Sequence, residues 1–308
     1  DKKPYRAVVQ LVHGMSEHKE RYLPFMQYLA KSGYVTVIHD HRGHGKSVKY
    51  QDDLGFTYGG GAQAMLQDIR TVNRKIHAHY PELPLILMGH SMGSLAVRAF
   101  VAEHDSCADM LIVCGSPSYN TAMPLGVAIA KTEKAVFGPR HRSKLIETMS
   151  FGAGAMKFRK DKRCTAWICS NPDVAKEYEE SELCGFTFTD DAYLALFELM
   201  KRAYDVEHFS CTNPDMPVLF VSGAEDPCLI NVRHFAKTVR AMRHAGYKDV
   251  KGKLYPGMRH EILNEKEKYR VYGDVWKWLK KEKVVENVEG ESTPPQTPDG
   301  VPAGSGGV

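Results

Sequence analysis

The chain has 308 residues, 43% of them hydrophobic and 25% charged, with a formal net charge of +4. That length accommodates one large domain with an insertion, and the apolar content suffices for a self-supporting core. Lys and Arg are interspersed with comparable numbers of Asp and Glu and no reading motif accompanies them, which sets nucleic acid aside as a partner.

The seven cysteines, at 107, 114, 164, 169, 184, 211 and 228, form no CxxC pair and sit partly in apolar runs. They read as buried thiols of a reducing compartment rather than a disulfide framework. No apolar run approaches the roughly 18 residues of a membrane span, and no charged-then-apolar leader opens the sequence. A cytoplasmic location is the expectation, with no obligate protein partner.

Ala7 to Val12 is a short β-branched run that predicts a first strand. A helix from about 22 to 31 follows, stopped by Gly33, and Val35 to Asp40 reads as a second strand. From Ala62 to Tyr80 apolar residues fall at 65, 69, 72 and 76, one face of a helix, before a third strand at Leu85 to Met88. Ser94 to His104 predicts a helix and Met110 to Gly115 a fourth strand. Pro217 to Gly223 and Lys253 to Pro256 predict the fifth and sixth strands, with helices near 231 to 244 and 265 to 281. Short apolar strands alternating with amphipathic helices predict an α/β fold: a mostly parallel, doubly wound sheet covered on both faces.

The interval from 118 to 212 lacks strand character but carries helical stretches near 123 to 137 and 191 to 205. A structureless loop of that length is implausible, so it reads as a helical cap, or lid, inserted into a core made of 1–117 and 213–282. Residues 283–308, rich in Pro, Gly, Ser and Thr, cannot bury enough apolar surface to order themselves and are expected to be a disordered tail.

Gly89-His90-Ser91-Met92-Gly93 follows a buried strand and opens a helix. In that context Gly-x-Ser-x-Gly is a nucleophile elbow, a turn too tight for side chains where strand and helix approach. A serine hydroxyl needs a base to take its proton, and the base needs an orienting carboxylate, in the chain order Ser, Asp, His. Asp226 and its neighbour Glu225 both follow the fifth strand, and His260 lies on the loop after the sixth. Ser91, Asp226 and His260 are the catalytic candidates. Two backbone N–H groups must also hold the oxyanion, and Met92, after the nucleophile, and Met15, after the first strand, are the candidates.

Three segments make the pattern specific: His13-Gly14-Met15-Ser16-Glu17-His18 with Arg21-Tyr22, Asp40-His41-Arg42-Gly43-His44-Gly45-Lys46-Ser47, and Gly89 to Gly93. Together they resemble the monoacylglycerol lipase and lysophospholipase branch of the α/β-hydrolases, also called serine aminopeptidase-like. The resemblance spans about residues 5 to 282, strongly in the core and loosely in the cap. It implies the α/β-hydrolase fold and hydrolysis of a single-chain lipid ester with no cofactor and no metal. It also favours Asp226 over Glu225, because in such sequences the residue before the proline holds the role, and gives His41 and His44 a scaffold role.

Two departures from the family accompany the match: the antiparallel strands that usually precede the first strand are absent, and the cap matches least. An aminopeptidase would need a cap carboxylate for the substrate's amine, and Glu179, Glu180 and Glu182 are candidates; a short-chain carboxylesterase is a further alternative. A non-catalytic binding module of this fold would usually have lost a triad member, and all three are present. The basic run Lys157 to Arg163 could rest transiently on an anionic lipid surface or simply form a solvated face.

Overall fold

The computed structural model describes residues 5–282, so the expected tail at 283–308 lies outside the described residues. The elements run in chain order β1 (Ala7–Val12), α1 (Leu23–Lys31), β2 (Tyr34–Ile38), α2 (Gly61–His79), β3 (Leu85–His90), α3 (Met92–His104) and β4 (Met110–Cys114). They continue with α4 (Met123–Phe137), α5 (Lys144–Lys157), α6 (Pro172–Glu180), α7 (Asp190–Tyr204), β5 (Val218–Gly223), α8 (Val232–His244), β6 (Val250–Tyr255) and α9 (Lys268–Lys281).

The six strands form one sheet in the order β2-β1-β3-β4-β5-β6, and every pairing is parallel. Strand side chains alternate between faces, so each central strand feeds two cores. Val8, Leu87, Leu111 and Phe220 point into a core shared with α2, α3, α7 and α8. Val9, Met88, Ile112 and Val221 point the other way, toward α1 and α9. Helices on both faces leave β1, β3, β4 and β5 fully buried, which is why they read as near-continuous apolar runs; Gln10 within β1 donates its amide N–H to the Ile69 carbonyl.

Strand β6 starts at Val250, earlier than the expected Lys253, because Val250, Lys251 and Gly252 belong to it as well. As an edge strand it carries charge, which blunts its unpaired side. Helix α9 starts later than expected. Glu265, read as its first residue, instead turns its carboxylate to the backbone N–H groups of Arg259 and Ser170, at 2.8 and 3.0 Å.

Within 118–212, α4 and α7 lie close to where periodicity places them, while α5 and α6 were not foreseen. Their capping signals were present in the sequence: the Ser143 hydroxyl accepts from Ile146 N–H, and Asn171 caps a helix whose first residue is Pro172. Helix α7 packs against α2, α3 and α4, and its Tyr193, Ala195 and Leu199 belong to the same core as the sheet. Ile168, Cys169, Tyr178 and Cys184 form a small separate cluster.

Chain direction reverses across the sheet between β1, which leads to the edge strand β2, and β3, which leads toward β6. In open parallel sheets the crevice at the carboxyl ends of two such strands is where ligands bind. The loop His13–Ser16 leaves β1 there, and Ser91 leaves β3 beside it.

Candidate active site

Ser91 links β3 directly to α3 with φ 53° and ψ −120°. This is a sparsely populated conformation for a residue with a side chain, and it persists only where the surroundings enforce it. The enforcement is steric. A Cβ on Gly93 would fall 2.1 Å from the Val12 carbonyl oxygen, and one on Gly89 would fall 2.2 Å from the Gly93 oxygen. Only glycine permits α3 to approach β1 and β3 so closely, and the closeness lifts the Ser91 hydroxyl out of the turn.

The Ser91 hydroxyl lies 2.8 Å from His260 Nε2, and His260 Nδ1 lies 2.9 Å from Asp226 Oδ2. Asp226 is 2% exposed and also accepts from Ser222 Oγ at 3.1 Å and Cys228 N–H at 2.8 Å. Glu225, the rival by sequence, is exposed to solvent. Burial drives the Asp226 carboxyl up, but the facing imidazole and these hydrogen bonds hold it below its ordinary range. Burial likewise opposes charge on His260, and the Asp226 carboxylate outweighs it, raising His260 well above the usual histidine value. The Cys228 thiol also adjoins this pair, and burial pushes it up.

Met15 lies in the turn after β1 and Met92 directly follows Ser91, the two turns where oxyanion donors were expected. Their N–H groups are not those bracing the turns: Gly14 N–H donates to Glu17 Oε1 at 2.6 Å, Ser16 N–H to His44 Nε2 at 3.2 Å, and Ser91 N–H to the Cys114 carbonyl at 3.0 Å.

Behind these turns lies a network that periodicity and motif spacing did not assign. Glu17, 3% exposed, accepts from Gly14 N–H and Tyr22 Oη on one oxygen and from Arg21 on the other. Its Oε1 also lies 3.3 Å from Nδ1 of His90, the residue before the nucleophile. Burial alone would raise the Glu17 carboxyl, but His90 and Arg21 hold it far below the carboxylate range. Arg21 reaches onward to Glu261, next to His260. Glu17, Arg21, Tyr22 and His90 were visible in the family motif and Glu261 was not; their convergence required the tertiary fold.

Residues of 118–212 hold the loops that follow β1 and β6. The Ser16 carbonyl accepts from Tyr178 Oη and Gly185 N–H, each at 2.9 Å, and Ser16 Oγ donates to the Phe186 carbonyl at 2.7 Å. Glu261 N–H donates to the Ile168 carbonyl at 2.7 Å, and Arg259 donates to that of Ala166 at 2.6 Å. The Trp167 ring stands 5.2 Å from the His260 ring, and Phe151 stacks on Trp167. By contrast, Glu179, Glu180 and Glu182 are exposed. Glu179 pairs with Arg163, and Glu180 faces Lys176. Lys157, Arg159, Lys160 and Lys162 are exposed as well, at the end of α5 and the turn after it.

His13, His41 and His44 are buried beneath the oxyanion turn. His13 Nε2 accepts from His41 N–H, His41 Nε2 donates to the His13 carbonyl, and His44 donates to the Arg42 carbonyl while accepting from Ser16. Burial lowers all three, His44 to about 3, so they act as neutral braces.

Residues 3–267 match the family described as "Serine aminopeptidase, S33". The chain belongs to that family. It is 27% identical over 277 residues to a monoacylglycerol lipase of Mycolicibacterium smegmatis, covering 89% of this chain and 88% of that one. A thermostable carboxyl esterase from Bacillus coagulans, solved with glycerol, matches with a TM-score of 0.82 at 26% identity, over 90% of each chain. The monoglyceride lipase of Saccharomyces cerevisiae matches with a TM-score of 0.69 at 21% identity, over 91% of this chain and 88% of that one, a likeness of fold. The fold is that of the α/β-hydrolases.

Proposed function

We propose that this serine hydrolase cleaves carboxylic esters of single-chain lipids, a monoacylglycerol or lysophospholipid, through an acyl-enzyme on Ser91. The observation that carries the reading is the relay of 2.8 Å from Ser91 to His260 and 2.9 Å from His260 to Asp226. Asp226 fixes the imidazole with its proton on Nδ1, leaving Nε2 free to take the Ser91 proton as the hydroxyl attacks the ester carbonyl. The N–H groups of Met15 and Met92 receive the oxyanion. His260 then protonates the departing alcohol, and a water activated by the same nitrogen releases the fatty acid. Each proton is carried by His260, so this cycle calls on no cofactor.

The lipid substrate is supported by the similarity to a monoacylglycerol lipase along most of both chains. It is also supported by the Trp167 ring beside His260 and the Phe151 ring stacked on it, apolar surface suited to an acyl chain. We assign 118–212 as the cap over this site and infer transient contact of the cap with a lipid surface. The exposed Leu125 and Phe137 of α4 and the exposed Leu145 and Met156 of α5 support that contact. Among the described residues no helix is long and apolar enough to cross a membrane, and all seven cysteines are free, which fits a cytoplasmic site of action.

Turnover of a monoacylglycerol, a lysophospholipid, a short-chain nitrophenyl ester and an aminoacyl anilide, with Ser91→Ala alongside, tests the reading. Preference for the long-chain lipids, lost in the variant, is the expected result. Cleavage of the anilide alone would replace it with the peptidase reading.

A further inference from the structure

Three side chains far apart in the sequence meet on the side of the insertion: Glu133 of α4, His141 of the following loop, and Asp190, the first residue of α7. One ligand atom from each lies within 4.8 Å of the other two. His141 Nδ1 is 2.9 Å from Asp190 Oδ2 and 4.0 Å from Glu133 Oε2. Asp190 is fully buried, at 0% exposure, and its other oxygen, Oδ1, has no hydrogen-bond partner among the described residues. Glu133 Oε2 is buried and equally without a hydrogen-bond partner.

Two buried carboxylate oxygens without donors carry a desolvation cost that one imidazole proton does not offset. That proton satisfies Asp190 Oδ2 alone and leaves Glu133 out of reach. The neighbouring cations are engaged elsewhere: Lys134 pairs with Asp191, and Arg140 with Asp53.

We propose that Glu133, His141 and Asp190 bind a divalent transition-metal ion of the zinc class, which clamps α4 and its following loop to the start of α7. Arms of about 2.0–2.1 Å in a tetrahedral site place ligand atoms roughly 3.3 Å apart, a value bracketed by the 2.9 and 4.0 Å found. The imidazole nitrogen selects against Mg²⁺ and Ca²⁺, which take oxygen ligands. On binding, the Nδ1 proton passes to solvent and water fills the fourth position. The loop that supplies His141 is already fixed, because its carbonyl accepts the Asp190 N–H at 2.8 Å. Since α7 packs on α3, the ion would stiffen the attachment of the insertion to the helix that Ser91 begins.

The test must set aside a second cluster, because Asp226, Cys228 and His260 also present ligand atoms within 4.8 Å of one another. The full chain is therefore prepared as His260→Ala, stripped with chelator, and titrated with ZnCl₂ by calorimetry and thermal unfolding, with MgCl₂ as comparison. The expected result is uptake of one zinc with a concentration-dependent rise in Tm and no response to magnesium. Glu133→Gln and His141→Gln, at partly exposed positions and added singly to that background, should each weaken zinc binding at least tenfold. No uptake, or affinity within tenfold of the parent in either variant, overturns the proposal.

Discussion

Arg21 donates to both oxygens of Glu261, at 2.5 and 2.6 Å, and so ties the segment after the β1 turn to the residue next to His260. Both side chains are nearly buried, with 8% and 5% exposure. Through Glu17 the same guanidinium reaches Gly14 N–H and His90, so three loops from β1, β3 and β6 share one charged network.

Breaking that network displaces the groups that carry the reaction without touching the substrate. Arg21→Met or Glu261→Gln should lower kcat by about 10- to 100-fold with little change in KM, since a shift on the order of 1 Å at a reacting group costs that much. Glu17→Gln should do the same. Steady-state kinetics beside thermal unfolding separates this outcome from simple loss of folded protein.

The strained backbone at Ser91 makes a distinction between two inactive variants. Ser91→Ala retains a Cβ at φ 53° and therefore the strain, whereas Ser91→Gly releases it. Relief of about 1–3 kcal/mol outweighs the roughly 0.4–1 kcal/mol of extra chain entropy that glycine brings to the unfolded state. Urea unfolding should place Ser91→Gly about 1 kcal/mol above Ser91→Ala, with both lacking turnover.

In the proposed cycle His260 acts as a base only when neutral, and Asp226 raises its protonation above the ordinary value of 6.5. The acid limb of kcat/KM should therefore lie above pH 6.5, and Asp226→Asn should move it down while reducing kcat by about 10⁴. The same shifts act on stability. The folded state binds the His260 proton more tightly than the unfolded chain does, so this contribution is full below about pH 6.5 and is lost as pH rises through the folded value. Asp226 is lowered, so its contribution is present above about pH 3.9 and is lost as pH falls through its folded value. Urea midpoints of Ser91→Ala measured against pH, with and without Asp226→Asn, check both directions.

Gly93→Ala should be among the most damaging single changes. Its methyl group would meet the Val12 oxygen at 2.1 Å and the His13 oxygen at 2.5 Å, both backbone atoms that a rotamer change cannot move. A loss of about 1–3 kcal/mol or more is expected by denaturant unfolding. Activity should fall further than stability, because the strand end being pushed carries the Met15 turn.

Much of this molecule was legible locally. The central strands announced themselves because burial on both faces removes polar alternation, and the elbow did so because its glycines answer a steric demand made within five residues. Helices α5 and α6 were missed because their apolar faces are short and interrupted, Gly152 and Gly154 falling inside α5, although their caps were readable. Edge strand β6 was shortened because two of its first three residues are exposed: solvent on one side permits Lys251 and Gly252, which carry no apolar signal.

The sequence by itself determined the order Ser91, Asp226, His260 along the chain and the ends of strands to which they belong, because strand, turn and helix signals are local. The residues alone left Asp226 and Glu225 as neighbours, and the family resemblance favoured Asp226; the tertiary structure shows the physical reason, the backbone turning Asp226 toward His260 and Glu225 to solvent. Only the tertiary structure decided that Glu17, Arg21 and Glu261 converge, and that Glu133, His141 and Asp190 meet. Charge pairing across distant segments follows from how layers pack, and no spacing along the chain encodes it.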